Sequence, residues 1–389
     1  MFTLPAFDPI SAPESIAPRG SFARWHSRVR KLPEFSGELP VAALAEEILT
    51  EGDGQVKALV TLAGNPVLST PNGRELDRAL ASLDFMASID CYINETTRHA
   101  HIILPPVSPL ERGHYDLAFH LLAIRNTTKF STPLFERSAE TRHDWEILLE
   151  LETRMKHNGF IGGVRRTLTK QFFTPDRILD LGLRFGPHGA RLNPFSKGLT
   201  LRKVRKAVHG IDLGPLTPCL PKRLQTADKL IDLAPEILVK DVERVKSRYL
   251  NEAYESNGHL LLIGRRQLRS NNSWMHNSER LVKAAKPQCT VIMHPTDAAN
   301  RDLLNGQKVV VRSRVGSIVL PVEVSEEIMR GVVSIPHGWG HDRDGNQQAV
   351  AQQHAGASIN DLTDQQAIDA LCGTAAFNGI AVTVAAFNS

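Results

Sequence analysis

Residues 294–318, with the sequence HPTDAANRDLLNGQKVVVRSRVGSI, decide the fold of the C-terminal part of the chain. In chain order, the stretch predicts an N-cap at Asp297, one or two amphipathic helical turns over 298–304, a turn at Asn305-Gly306 and an alternating strand over 308–313. A second strand follows over 316–324. The pattern predicts a β-meander with one short helix. On periodicity alone it indicates barrel core more strongly than a binding site, and the neighbouring segments decide between the two.

A loop rich in polar side chains follows a strand in the segment LLLIGRRQLRSNNSWMHN, residues 260–277. The apolar strand ends at Gly264, and loops at strand ends on a rigid scaffold often carry binding sites. Arginine supplies forked donors for phosphate oxygens, and asparagine and serine suit phosphate or base edges. The candidate side chains are Arg265, Arg266, Asn271, Asn272 and Ser273. The alternative is a solvated surface turn.

Two short motifs in the first hundred residues indicate a second ligand-facing region. Gly64-Asn65-Pro66 closes a strand and precedes a helix, which is where open parallel sheets bind ligands. Its alternative is a tight turn that uses glycine for its dihedral angles and proline for its rigidity. The loop Asn94-Glu95-Thr96-Thr97 follows a later strand and is equally open to two interpretations, a ligand contact or the capping turn of a short helix.

Three segments emerge along the chain. They are a linker and partial doubly wound α/β unit over residues 1–107, a mixed and mainly helical connecting segment over 108–255, and a β-barrel with short helices over 256–389. In the first segment the pattern predicts an extended linker over 1–35, helices over 41–49 and 74–83, and strands over 55–62, 84–89 and 101–104. In the second, the clearest amphipathic stretches are 145–155 and 234–249. The fold class is therefore α/β plus β.

Length and composition agree with two or three hydrophobic cores. The chain has 389 residues, of which 42% are hydrophobic and 23% are charged. No uninterrupted apolar run approaches the roughly 20 residues needed to cross a bilayer, so we expect no membrane span. No signal peptide pattern stands at the N-terminus, and a cytoplasmic location follows by default.

Several other functions lack their minimum sequence features. The basic region around residues 160–210 could contact phosphates, but no helix-turn-helix, zinc-finger or RNP pattern accompanies it, so we expect no nucleic-acid partner. His337 and His341 have metal-like spacing, yet the glycines between them disfavour the helix that would bring both rings to one face. The motifs of zinc proteases, α/β-hydrolases, nicotinamide-binding proteins and P-loop enzymes are absent.

Blocks in two parts of the chain resemble one enzyme family. The C-terminal blocks are IGRRQLRSNNSWMHN, HPTDAA…NGQKVVVRSRVGSI and INDLTD…AFNGIAVTV. Together they resemble the dinucleotide-binding domain of the bis-molybdopterin guanine dinucleotide oxidoreductases, the family of formate dehydrogenases and nitrate reductases. Upstream, VTLAGNPVLSTPNGRELDRAL and DFMASIDCYINETTRHAHIILPP resemble the later half of the family's α/β domain. Order and spacing both agree with the family.

The resemblance implies a double-psi type of barrel, a molybdopterin guanine dinucleotide cofactor carrying molybdenum, and two-electron redox chemistry on a small-molecule substrate. The chain departs from complete members in one respect. Those carry an iron–sulfur cysteine cluster and a molybdenum ligand toward their N-terminus, whereas Cys91, Cys219, Cys289 and Cys372 are isolated here. We therefore expect a C-terminal fragment or split-gene product that is inactive alone and pairs with a separate N-terminal half carrying the iron–sulfur cluster.

The resemblance also implies which residues contact the cofactor. Arg265, Arg266, Asn272 and Ser273 would hold a dinucleotide end, His294 and Asp297 would frame a second contact, and Asn360 with Asn378 would close the barrel side. The full expected set is Gly64, Asn65, Pro66, Glu95, Thr96, Gly264, Arg265, Arg266, Asn271, Asn272, Ser273, His276, His294, Asp297, Asn360 and Asn378. No residue is expected to be a catalytic base or a metal ligand. The alternative function is a non-catalytic binding or interaction module that completes a separate chain.

Overall fold

A computed structural model describes residues 4–8, 20–156, 159–247, 250, 258–282 and 288–388 of the chain. The chain divides into two compact units. The barrel unit comprises Gly20–Leu104 and Tyr254–Ser389, and the helical unit comprises Met1–Arg19 and Pro105–Ala253. Both the α/β elements and the C-terminal barrel therefore belong to one unit.

The strands and helices are numbered in chain order. The strands are β1 (Phe22–His26), β2 (Pro33–Phe35), β3 (Ala58–Leu62), β4 (Phe85–Ile89), β5 (Ile102–Ile103), β6 (His114–Tyr115), β7 (Asn126–Thr128), β8 (Phe130–Ser131), β9 (Ile211–Gly214), β10 (Leu260–Arg265), β11 (Val291–Met293), β12 (Lys308–Arg312), β13 (Ser317–Val324), β14 (Val332–Pro336) and β15 (Ile380–Ala386). The helices are α1 (Leu44–Leu49), α2 (Pro66–Ser69), α3 (Gly73–Ala81), α4 (Asp144–Lys156), α5 (Gly159–Phe172), α6 (Pro175–Phe185), α7 (Leu201–Lys206), α8 (Glu236–Lys246), α9 (Glu279–Val282), α10 (Pro295–Ala299) and α11 (Ala349–Gln353).

A closed barrel forms the C-terminal part of the barrel unit. Its strand order is β10-β14-β11-β13-β12-β15, with parallel pairing of β10 to β14 and of β11 to β13. Alternate side chains of each strand face the interior, as Val309 and Val311 do on β12 and Ile318, Leu320 and Val322 do on β13. The predicted C-terminal β-barrel is confirmed.

A three-stranded parallel sheet forms the α/β part of the same unit, in the order β3-β4-β5. Helices α1 and α3 pack on one face of it, where Ile48, Leu76, Leu80 and Met86 are almost fully buried. Asn72 is the N-cap of α3, and its side chain accepts a hydrogen bond from the backbone of Glu75. The α/β fold that the sequence predicted for this region is therefore present.

The helical unit contains α4 to α8 and two small antiparallel sheets, β6 with β8 and β7 with β9. Its buried cluster joins Ala6 and Phe130 to Leu183 of α6 and to Leu201 and Val204 of α7. The unit is mainly helical, as predicted. No helix among the described residues has the length and hydropathy needed to span a membrane.

Two local predictions are wrong. Asp297 lies inside α10, and His294 is the N-cap, with its ring nitrogen Nδ1 accepting a hydrogen bond from the backbone of Thr296. Pro295 explains the shift, because proline suits the first helical position and the helix therefore begins earlier. The predicted extended linker over 1–35 contains an antiparallel pair, β1 with β2, in which Phe22 lies opposite Phe35. Residues 9–19 of that linker lie outside the described residues.

Candidate functional site

The carboxyl ends of β3 and β4 bring two of the predicted motifs together. Asn65 Nδ2 donates to Glu95 Oε2 at 2.7 Å, and the Thr96 hydroxyl donates to Asn65 Oδ1 at 2.7 Å. Thr96 Oγ1 also accepts from the backbone of Val67 at 3.1 Å, just after Pro66 begins α2. Adjacent parallel strands end at the same edge of a sheet, so motifs about 30 residues apart in sequence meet there.

Glu95 has no solvent exposure and accepts three side-chain hydrogen bonds, from Asn65, His341 and Asn346. Its Oε1 atom lies 2.8 Å from His341 Nδ1 and 2.6 Å from Asn346 Nδ2. Burial alone would raise the pKa of Glu95, but the hydrogen bonds from His341 and Asn65 outweigh it and the pKa lies below its ordinary value. A buried carboxylate with several donors is stabilised in its ionised form.

A second histidine continues from this carboxylate. His276 Nδ1 lies 2.9 Å from His341 Nε2, and His276 Nε2 lies 2.9 Å from the Ser270 hydroxyl oxygen. The His276 ring stacks on Trp339 with 4.0 Å between ring centroids. Burial, and then the neighbouring His341, lower the pKa of His276 to about 3. His276 is therefore a neutral imidazole at neutral pH.

Ser270 lies on the wall of a cavity of about 510 Å³ beside the loop that follows β10. The lining residues are Arg266, Gln267, Leu268, Ser270, Asn271, Asn272, Met275 and His337. Asn271 and Asn272 have φ angles of 42° and 59°, in the left-handed region that asparagine tolerates better than most residues. Gly338 packs against this turn, since a Cβ there would come within 2.2 Å of the Asn272 carbonyl oxygen.

Arg265 and Arg266 point to different surroundings. The Arg265 guanidinium donates to the Ser334 carbonyl at 2.5 Å and to Thr290 Oγ1 at 2.8 Å, in the wall of the barrel. Burial lowers its pKa, and nearby Glu323 opposes the shift. Arg266 lines the cavity, where its guanidinium donates to Asn272 Oδ1. Of these two arginines, only Arg266 is placed to contact a ligand in this cavity.

The remaining predicted residues form hydrogen bonds within the barrel unit and do not line the cavity. Gly264 donates its backbone N–H to Asn378 Oδ1 at 2.8 Å. Buried Asp297 accepts from the Gly331 backbone at 2.7 Å, and buried Asn360 donates to the Thr70 carbonyl at 2.8 Å. His294 caps α10, and the Ser273 carbonyl accepts from the His276 backbone. Their predicted cofactor contacts stay predictions.

Sequence reasoning missed His341, Asn346, Ser270 and Gln267. His341 was considered only together with His337 as a possible metal-binding pair. Its hydrogen-bond partner Glu95 is 246 positions away in sequence. Gln267 donates to the Gln288 carbonyl at 2.6 Å, whereas its buried Oε1 atom has no hydrogen-bond partner within the described part of the chain. Among the residues that the structure describes, no group of three or more His, Cys, Asp or Glu side chains is arranged to hold a metal ion.

Family models match two parts of the chain. The Molybdopterin oxidoreductase model matches residues 12–154, which include the Asn65–Glu95 contact. The model described as Molydopterin dinucleotide binding domain matches residues 260–381, which include the cavity, His276 and His341.

Curated proteins and solved structures show the same relationship. The assimilatory nitrate reductase catalytic subunit of Bacillus subtilis is 25% identical over 374 residues, covering 89% of this chain and 45% of the relative. The F420-dependent formate dehydrogenase subunit alpha of Methanocaldococcus jannaschii is 23% identical over 300 residues, covering 75% of this chain and 40% of the relative. Acetylene hydratase from Pelobacter acetylenicus shares the fold with a TM-score of 0.64 at 18% identity, covering 90% of this chain and 47% of that one. The chain spans less than half the length of these proteins.

Proposed function

Because the chain belongs to the molybdopterin oxidoreductase family, we propose that its barrel unit binds molybdopterin guanine dinucleotide in the cavity beside β10. In this proposal the chain supplies one wall of the bis-dinucleotide site of a two-electron oxidoreductase. The observation that carries it is the position of the cavity, which lies at a strand end within the residues that match the dinucleotide-binding model.

The residues of the cavity fit such a ligand. Its volume of about 510 Å³ is in the range of cofactor sites. Arg266 offers a partly solvated guanidinium for a phosphate, and the amides of Asn271 and Asn272 offer further donors. A charged group and neutral donors therefore line one space.

When bound, the cofactor supplies two-electron redox chemistry at molybdenum. The side chains of this chain bind and orient it. Arg266 would neutralise a phosphate, and the turn that Gly338 supports would hold the loop against the ligand. The buried contacts among Asn65, Glu95 and Thr96 would hold the sheet end rigidly beside the ligand. We assign no catalytic base or metal ligand to the described residues.

We further propose that a separate chain completes the enzyme and supplies the iron–sulfur cluster and the molybdenum ligand. Two relatives are named as a catalytic subunit and a subunit alpha, which are names of proteins that belong to assemblies. The substrate in this proposal is a small molecule, and the cytoplasmic location expected from the sequence stays a prediction. The second candidate function, a non-catalytic module that completes another chain, is supported by the isolated cysteines.

Binding of guanosine diphosphate to the full chain tests the cofactor site. We expect Arg266→Ala to weaken binding about tenfold to a hundredfold, because a charge-assisted hydrogen bond to phosphate contributes roughly 1.5 to 3 kcal/mol. Arg269→Ala is the matched control, since Arg269 belongs to the same loop, is exposed and does not line the cavity. If the parent, Arg266→Ala and Arg269→Ala bind guanosine diphosphate with equal affinity, the loop is not part of the nucleotide site.

A further inference from the structure

A long run of residues in the helical unit carries positive charge only. Residues 181–211 contain seven lysines and arginines and no aspartate or glutamate, whereas the whole chain is nearly balanced, with 46 basic and 42 acidic residues. The nearest carboxylates along the chain on either side, Asp180 and Asp212, form ion pairs with Arg184 and Arg125. The proposed function assigns no task to this concentration of charge.

The middle of this run is a loop with a closed base. Gly189 lies alongside Leu199, and the Leu199 backbone donates to the His188 carbonyl at 2.8 Å. A Cβ at Gly198 would come within 2.4 Å of the Gly189 backbone, so glycine permits this close approach. Residues 191–197 form the tip of the loop, and all but one of them are exposed.

Helix α7 lies against the returning arm of this loop. Lys203 Nζ donates to the Ser196 carbonyl at 2.8 Å and to the Gly198 carbonyl at 2.7 Å. Arg202 and Lys206 of α7 are exposed and lie four positions apart, so they share one face of the helix. The basic side chains of α7 therefore adjoin those of the loop.

Two apolar side chains at the loop tip lie between basic ones. Leu192 is 78% exposed and Phe195 is 94% exposed. Arg191 and Lys197 flank them, and neither forms an ion pair with another described residue. Exposed apolar side chains grouped with charged ones mark a surface that another partner covers. We name this surface the loop-tip patch, and its members are Arg191, Leu192, Phe195, Lys197, Arg202 and Lys206.

We propose that the loop-tip patch docks on the surface of an anionic lipid bilayer. Clustered lysines and arginines are attracted to anionic headgroups, and leucine and phenylalanine gain free energy at the boundary with the acyl chains. In this arrangement Leu192 and Phe195 enter the boundary while Arg191 and Lys197 stay at the depth of the headgroups. The proposal is independent of the proposed function, because the patch belongs to the helical unit and the cavity to the barrel unit.

The apolar side chains favour a lipid surface over nucleic acid, the other common polyanion. Proteins that bind single strands stack successive bases on aromatic rings. The loop tip offers one such ring, that of Phe195, and the aliphatic side chain of Leu192 has no π-face for a base. A bilayer boundary accepts both side chains, and its headgroups attract the basic residues around them.

Flotation of the full chain with lipid vesicles tests the proposal. We expect binding to phosphatidylcholine vesicles that contain about one quarter phosphatidylglycerol to be at least about tenfold tighter than binding to pure phosphatidylcholine vesicles. Salt at about 0.5 M should weaken the binding, because it screens charges beyond roughly 4 Å.

Substitution of Phe195 tests the apolar part of the patch. Phe195→Ser should weaken binding to the anionic vesicles about tenfold, since the ring no longer leaves water, and Phe195→Trp should retain it. Phe119→Ser is the matched control, because Phe119 also belongs to the helical unit, is 70% exposed and lies outside the patch. All three positions to be changed are exposed, and urea unfolding should show parental stability for each variant.

Substitution of Lys197 tests the electrostatic part. Lys197→Gln should weaken binding to the anionic vesicles about fivefold, the effect of one basic residue near a charged surface. Lys222→Gln, at another exposed position of the helical unit, is the control and should bind like the parent.

The outcomes decide between occupants of the patch. No binding to either kind of vesicle, equal binding to both, or equal losses in Phe195→Ser and Phe119→Ser would overturn the proposal. A single-stranded RNA oligonucleotide that binds more tightly than anionic vesicles, with the same dependence on Lys197, would assign the patch to nucleic acid instead. Each of these results leaves the dinucleotide cavity untouched, since the vesicle assay contains no nucleotide cofactor.

Discussion

Arg265 and Arg266 are neighbours in sequence, yet their environments give them different tasks. Side chains alternate along an extended strand, so the guanidinium of Arg265 enters the barrel wall while Arg266 reaches the cavity. The sequence predicted phosphate contacts for both, because an Arg-Arg dipeptide does not indicate which guanidinium forms its hydrogen bonds within the protein.

The internal hydrogen bonds of Arg265 give a stability prediction. Arg265→Ala removes two hydrogen bonds from a charged donor and leaves Thr290 and the Ser334 carbonyl with one partner fewer. We expect the free energy of unfolding to fall by about 1.5 to 3 kcal/mol. Urea unfolding measures it, and Arg266→Ala should change stability by less than about 0.5 kcal/mol. Equal losses in the two variants would contradict the assignment.

The low pKa of His276 predicts a pH-dependent stability. With a folded pKa of about 3 against an ordinary value of 6.5, the unfolded chain binds a proton that the folded chain does not between these two pH values. The free energy of unfolding should therefore fall as pH decreases below about 6.5, by roughly 1.4 kcal/mol per pH unit. Urea unfolding at pH 7.5, 6.0 and 5.0 measures this slope. His276→Gln should flatten it, and a slope identical to the parent's would exclude His276 as its source.

The described helices that pack on the three-stranded sheet lie on one face of it. Val60 and Leu62 on β3, Phe85 on β4 and Ile102 on β5 are 41% to 51% exposed. The register places Val60 and Leu62 on the face opposite the α1 and α3 core. Parallel sheets are almost always covered on both faces. Strand β3 is also an edge of the sheet, so its outer backbone groups can pair with another strand.

These exposed apolar side chains predict association of the purified chain. We expect sedimentation velocity to show concentration-dependent oligomers, because exposed apolar sheet faces and open edges promote intermolecular contact. Val60→Lys should shift the distribution toward monomer. Val208→Lys, at a position of the helical unit that is 73% exposed, is the control. A parent chain that stays monomeric at high concentration would show that this face needs no partner.

The strands and helices could be predicted where their sequence pattern is local. The candidate site could not be predicted in this way. The barrel strands follow from alternation over a few residues, such as Lys308–Arg312, and the sheet follows from short apolar runs with turn signals. The hydrogen bonds that link Glu95, His341, His276 and Ser270 join residues from distant parts of the sequence, and only the closed fold brings Glu95 to His341. Likewise, the N-cap at His294 was missed because proline at the next position outweighs the capping preference of Asp297.

The chain matches two family models and spans less than half of the length of the relatives described above. Its four cysteines are isolated in sequence, and Cys289, which is buried, has a pKa raised by burial to about 11. A thiol of this kind is a poor metal ligand, since ligation requires the thiolate. In the two-chain proposal the tasks are divided, so that this chain binds the dinucleotide and another chain binds the metal centre.

The division of tasks predicts that the purified chain binds nucleotide but has no oxidoreductase turnover. The physical reason is that two-electron chemistry in this family resides in the cofactor's metal, whose protein ligand the proposal places on the other chain. Assays with reduced and oxidised viologen dyes, and with nitrate, formate and trimethylamine N-oxide as substrates, measure turnover. Guanosine diphosphate binding by the same preparation is the control for a folded cavity. Metal-dependent turnover by the isolated 43.0 kDa chain would show that it carries a complete metal site and would exclude the two-chain proposal.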